Sequence, residues 1–181
     1  MPAFAGLCGS DKDKMKKNID VQIGEVRVGG KNIILKSKAI GSCIAVVACD
    51  PAIGIGAMSH IMLPGAAPED KKAEERTKYA ADAIDIMFTK MGRLGSKNGS
   101  IHIALVGGGN VLNRDDDTIC KDNIESVLDL LVRKNLKVKA QALGGTYRRS
   151  VTLDVETGSI FFSEGNNGET LLWKAEQLQA G

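Results

Sequence analysis

Aromatic residues are scarce, with four Phe, two Tyr and one Trp in 181 residues. A core must therefore be built from Ile, Val, Leu, Ala and Met. Histidine is rarer still, at two copies, and the four cysteines at 8, 43, 49 and 120 include no CxxC pair. That pattern argues against a zinc site and against a disulfide framework, and it leaves reduced cytoplasmic thiols as the expectation. No metal or cofactor is expected. Neither sign of charge is in excess, because 24 Lys+Arg against 22 Asp+Glu leave a formal +2. A chain that neutralises phosphates carries a basic excess or stripe, so nucleic acid is not an expected partner. No run approaches the roughly 18 apolar residues that span a bilayer, so no direct membrane insertion is expected. The first residues lack a charged and an apolar signal-peptide region.

Glycine is the exception to this scarcity. Its 21 copies exceed the average usage of roughly 7%, and many fall in pairs. Paired glycines suit tight turns and close backbone approaches better than a helical bundle. Residues 1–17 read as a flexible N-terminal tail, and 18–181 as a single domain.

Ile19, Val21 and Ile23 alternate, then Val26 and Val28 alternate on the other parity, as in a strand bulged at Gly24. Gly29-Gly30 reads as a hairpin turn into 32–37. Ile44 to Cys49 is a buried strand stopped by Asp50-Pro51, and Ile53 to Leu63 is its return. Ala80, Ile84, Met87 and Met91 mark one face of a helix, and Ile124, Val127, Leu128 and Leu131 mark a second. Strands at 101–106, 138–143, 151–155 and 160–162 complete the pattern ββββ-α-β-α-βββ. The expected class is α+β with mostly antiparallel pairing.

The hairpin at Asp50-Pro51-Ala52-Ile53 carries the chemistry. Proline at the second position of a type I turn centres it between residues 51 and 52, which sets Cys43 directly opposite His60. An imidazole beside a thiol can take its proton and hold a thiolate, the minimum for thiol nucleophilic catalysis. Gly41-Ser42 allows a sharp turn whose amides could face an oxyanion. The plainer reading is a small buried cysteine beside a core histidine.

The segments Ile40-Gly41-Ser42-Cys43-Ile44-Ala45-Val46, Asp50-Pro51, Ile55 through Pro64 and Lys78-Tyr79-Ala80 resemble the chemoreceptor glutamine deamidase family, CheD. Gly107-Gly108, Asn123 and Gly144-Gly145 followed by Arg149 match as well, and the likeness runs from about Val21 to Glu164. The resemblance implies a cysteine hydrolase built from packed, sandwich-like sheets flanked by two helices, similar to deamidating toxins. It implies Cys43 as nucleophile and His60 as base. The family's threonine six positions before the cysteine is Ser37 here, which keeps the hydroxyl and loses the methyl. The family's Gly-Gly-Ala loop appears as Gly107-Gly108-Gly109. Gly41, Ser42, Gly108 and Arg149 are the candidates for substrate or oxyanion contacts.

The implied reaction converts receptor glutamine to glutamate with loss of ammonia, through a thioester, in chemotaxis adaptation. A receptor glutamate methyl ester would follow the same steps with methanol leaving. The implied partners are the cytoplasmic helical bundle of a chemoreceptor and a CheC-type phosphatase. Stimulating that phosphatase is the alternative role, and a redox-responsive Cys43 thiol is a third. Gly107-Gly108-Gly109-Asn110 lacks a phosphate-loop pattern and reads as a structural loop. Asp115-Asp116-Asp117 reads as a solvated helix-initiating loop, His102 as a structural histidine, and Cys49 and Cys120 as core. Arg148-Arg149 reads as exposed strand charge, with contact to an acidic partner surface as the alternative.

Overall fold

The computed structural model describes residues 15–116 and 118–175. Ten strands and three α-helices follow in the order β1 (Lys17–Asp20), β2 (Val26–Gly29), β3 (Ile33–Ile40), β4 (Ile44–Asp50), β5 (Ile55–Ile61), α1 (Ala73–Arg76), α2 (Ala80–Arg93), β6 (His102–Gly107), α3 (Ile119–Arg133), β7 (Val138–Leu143), β8 (Arg149–Asp154), β9 (Ser159–Glu164) and β10 (Thr170–Lys174). They form two five-stranded sheets, ordered β1-β3-β8-β9-β10 and β2-β5-β4-β6-β7. Each sheet is mixed, because β1 lies parallel to β3 and β6 parallel to β7. The remaining pairs are antiparallel.

Three layers follow from the apolar pattern. All seven residues of β4 are buried, since this strand is central in its sheet and covered on both faces. Ala45, Val47 and Cys49 face the other sheet and pack with Leu35, Met58, Val151 and Leu153. Val46 and Ala48 face the helices and pack with Ile84, Met87, Val127 and Leu131. The expected face of α2 is the buried one: Ala80, Ala83, Ile84, Met87 and Met91.

Several sequence expectations need correction. The alternating stretch 19–28 is not one bulged strand: β1 and β2 join different sheets, with Gly24 at φ +77° between them. For the same reason Gly29-Gly30 does not close a hairpin with β3. The strand β10 was not expected. Lys16 and Lys17 do not belong to a tail, because Lys16 forms a 2.8 Å ion pair with Asp154 and Lys17 opens β1. The rest of the expected tail to residue 14, with Cys8, lies outside the described residues, as does Asp117.

The β4–β5 register also differs. Asp50 pairs with Ile55 and Ala45 with His60, so Cys43 is not directly opposite His60. The cause is the loop. Gly54 takes a left-handed φ of +66° and donates its N–H to the Asp50 carbonyl at 2.9 Å, which closes a four-residue connection instead of a two-residue turn.

Candidate active site

The site lies at the start of β4. Between β3 and β4 the chain must leave one sheet and enter the other. A bulge between Ser37 and Ile40 begins this change, and Ala39 within it adopts φ +55°. A non-glycine residue in that region carries local strain. Gly41, Ser42 and Cys43 then form a bent segment ahead of Ile44. The Gly107 loop holds it from the side: Gly108 N–H donates to the Cys43 carbonyl and Gly109 N–H to the Gly41 carbonyl, each at 2.8 Å. Gly107 has φ +129°, and a Cβ there would overlap the Cys43 carbonyl oxygen. The glycines serve this close approach, in keeping with a structural loop.

His60 and Cys43 share a face of the sheet. His60 is directly opposite Ala45, and Cys43 lies two residues before Ala45 against the same inter-sheet cluster. The two are diagonal neighbours, a position in which Cα atoms stand about 7–8 Å apart and side chains can meet. His60 is buried and Cys43 half-buried.

Ser37 comes from the opposite sheet. It points inward with Leu35 on β3, and its Oγ lies 2.8 Å from His60 Nδ1. The same hydroxyl donates to the Val21 carbonyl at 2.9 Å. A serine has one proton to give, so its bond to Nδ1 is as acceptor and Nδ1 carries the hydrogen. That tautomer leaves Nε2 with a lone pair. Nε2 is buried and has no hydrogen-bond partner among the described residues. A buried nitrogen of this kind is a proton acceptor kept free of competing donors.

Electrostatics favour a neutral resting pair. Burial pushes the Cys43 thiol above its ordinary value, while its own backbone N–H pulls the other way. Burial holds the His60 imidazole below its ordinary value, offset in part by the Val21 carbonyl. Both shifts oppose charge separation before substrate arrives.

Cys43 opens into a cleft of about 350 Å³ bounded by residues 39 and 41–43, Gly109, Val111, Leu112 and Arg148. Two candidate contacts fall outside it. Arg149 is 6% exposed and its guanidinium is committed: to Glu164 at 2.5 and 2.8 Å, to the Gly144 carbonyl at 2.6 Å and to the Gly107 carbonyl at 3.3 Å. It anchors the loop behind the cysteine and has little left for a substrate; its exposed neighbour Arg148 lines the cleft instead. The Gly108 N–H is spent on Cys43, so it is not an oxyanion donor. Gly41 and Ser42 do line the cleft. His102 pairs with Cys49 at the far end of β4 and stacks on Trp173 at 4.9 Å, beside a larger cavity of about 500 Å³ remote from Cys43.

The residue whose contacts sequence reasoning missed is Asn123. It is fully buried in the apolar face of α3, and its Nδ2 donates to the carbonyls of Ser42 at 2.9 Å and Met62 at 3.0 Å. An asparagine within the stripe Cys120, Val127, Leu131 was the available signal.

These features define a three-layer α+β protein with a cysteine, a histidine and a serine hydroxyl brought to one end of a strand pair. Residues 62–164 match the family model described as CheD chemotactic sensory transduction. A probable chemoreceptor glutamine deamidase CheD of Chlorobium luteolum is 39% identical over 150 residues, covering 83% of this chain and 74% of that protein. The chemoreceptor glutamine deamidase CheD of Thermotoga maritima is 31% identical over 157 residues, covering 87% and 97%. The chain belongs to the CheD family. A hypothetical protein YfiH of Bacillus licheniformis overlaps at a TM-score of 0.41 and 12% identity over 75% of this chain and 61% of that one.

Proposed function

We propose that this protein is a chemoreceptor glutamine deamidase with Cys43 as nucleophile, His60 as base and Ser37 as the group that orients the base. The observation that carries the reading is the Ser37–His60 bond, which leaves the buried Nε2 unprotonated on the face that Cys43 shares. The Cys43 thiol gives its proton to Nε2 as sulfur attacks the glutamine carboxamide carbon. The tetrahedral oxyanion is met by the Cys43 amide, within the loop formed with Gly41 and Ser42. His60 returns the proton to the amide nitrogen, ammonia leaves and a thioester remains. Water then gives a proton to His60, attacks the thioester, and releases glutamate and the thiol. The likeness to deamidating-toxin cysteine hydrolases belongs to this reading.

The surroundings suit a protein substrate. Leu112 at the cleft is 69% exposed, and Tyr147, next to the cleft-lining Arg148, is 62% exposed. Such a rim fits a helical surface carrying a glutamine, as on the cytoplasmic part of a chemoreceptor, better than a small free amide. Among the described residues no helix is long and apolar enough to cross a membrane. The same rim supports a second role, binding a CheC-type phosphatase in competition with receptor, through which the protein would regulate adaptation.

The test is recombinant protein incubated with a receptor cytoplasmic fragment and read by peptide mass spectrometry and ammonia release. Conversion of specific glutamines by wild type and none by Cys43→Ala is the expected result. Equal conversion by Cys43→Ala removes the enzyme reading. A pull-down with the phosphatase, competed by receptor fragment, tests the second role.

A further inference from the structure

Asn123 is retained at a fully buried position although its Oδ1 has no hydrogen-bond partner among the described residues. An unpartnered amide oxygen in an apolar helix face is a cost to folding, so the other half of the amide must return something specific. The two acceptors around Nδ2 are carbonyls, which fixes the side chain's orientation, since only the NH₂ group can donate to them. One carbonyl belongs to Ser42, the residue before the nucleophile. The other belongs to Met62, two residues beyond the base.

The Ser42–Cys43 peptide converts this anchoring into chemistry. In a planar trans peptide the C=O and N–H point in opposite directions. With the Ser42 carbonyl held toward α3, the Cys43 N–H is turned away from the helix. The thiol lies on that side: Cys43 packs against the cluster between the sheets, α3 packs against the other face, and Cys43 lines the cleft. No other described backbone group takes this N–H, whereas the neighbouring amides of Gly108 and Gly109 are both spent on holding the loop.

We propose that Asn123 is a positioning residue which, by holding the Ser42 and Met62 carbonyls with one NH₂ group, aims the Cys43 amide at the reacting carbonyl and sets the gap between Cys43 and His60. The proposal rests on the deamidase reading and names the support for its oxyanion donor. Asn123 touches neither substrate nor the reacting atoms.

The test compares wild type with Asn123→Leu and Asn123→Asp, both sharing asparagine's branch at Cγ and both unable to bridge two carbonyls as a double donor. The first readout is iodoacetamide alkylation of Cys43 against pH, followed on the Cys43 peptide by mass spectrometry. The second is deamidation kinetics, with circular dichroism and thermal melts to show that each variant folds. Loss of the aimed amide should move the alkylation midpoint of Cys43 to higher pH. It should also lower kcat about 100-fold, the scale of losing one oxyanion donor, with KM near the wild-type value. A folded variant of either kind with the wild-type alkylation midpoint overturns the proposal, whatever its melting temperature. Alkylation needs no receptor, so absence of deamidation by wild type would sink the functional reading and leave this comparison standing.

Discussion

The Ser37 hydroxyl and the His60 ring come from different sheets and meet at 2.8 Å in the layer between them. The contact ties the base to the opposite sheet, so the ring cannot turn without breaking a buried hydrogen bond. Ser37→Ala leaves the Val21 carbonyl and the Nδ1–H without their partner, at a cost of about 1–3 kcal/mol in stability. Turnover should fall about tenfold, the scale of one hydrogen bond. Ser37→Thr keeps the hydroxyl and should retain activity. Kinetics of the two variants on a receptor fragment check this, and unchanged kcat in folded Ser37→Ala would reduce the site to a dyad.

The pH profile follows from the His60 shift. The working form has Nε2 unprotonated, and burial holds the imidazole below its ordinary 6.5. Activity should therefore persist as pH falls through 6.5 and be lost only below it. An acid limb with its midpoint above 6.5 contradicts the assignment. Stability moves the same way: between 6.5 and the lower folded value the unfolded chain binds the proton and the folded chain does not, so stability is lost as pH falls through that window. The raised Cys43 thiol has the opposite sign, and its contribution is lost as pH rises above the ordinary thiol value of 9.0.

Thiol chemistry should single out one cysteine among the described residues. Cys49 is 1% exposed and its thiol is pushed up to about 12 by burial and by Asp50. Cys43 is half-buried at a cleft. Iodoacetamide should label Cys43 far faster than Cys49, and Cys49→Ala should keep deamidation. Cys43→Ala and Cys43→Ser should abolish it with a stability change within about 1 kcal/mol, since serine oxygen is too weakly acidic for a base matched to a thiol. Faster labelling of Cys49 would place the reactive thiol elsewhere.

How far these residues were legible in the sequence depended on whether the signal was local. The β4–β5 hairpin was readable from Asp50-Pro51 and the apolar run before it. Its register was not, because Gly54 closes a longer loop with a left-handed φ of +66° that no flanking residue announces. The displacement is two residues, so the face was kept: Cys43 moved from directly opposite His60 to diagonal, where a one-residue slip would have put it on the other side. The splitting of 19–28 between two sheets and the third-layer contact of Asn123 are tertiary pairings, and alternation along the chain does not encode them. Arg149 was misread for the same reason: a strand arginine looks exposed until its partners, 15 and 42 residues away, are known.

Those partners give the last prediction. Arg149 neutralises Glu164 and caps the carbonyls of Gly107 and Gly144, which belong to the loops beside the cysteine. Arg149→Ala strands these groups, and Glu164 is only partly able to reach water. The loss should approach about 3 kcal/mol, the lower range for breaking a buried pair. Arg149→Lys should not restore it, because a point ammonium cannot bond a carboxylate and two carbonyls in a fixed fork. Arg148→Ala, by contrast, removes an exposed side chain at the cleft and should leave the melting temperature alone while raising KM for receptor fragment. Thermal melts and steady-state kinetics on the three variants decide the matter. A wild-type melt for Arg149→Ala with raised KM would return Arg149 to the substrate-binding role.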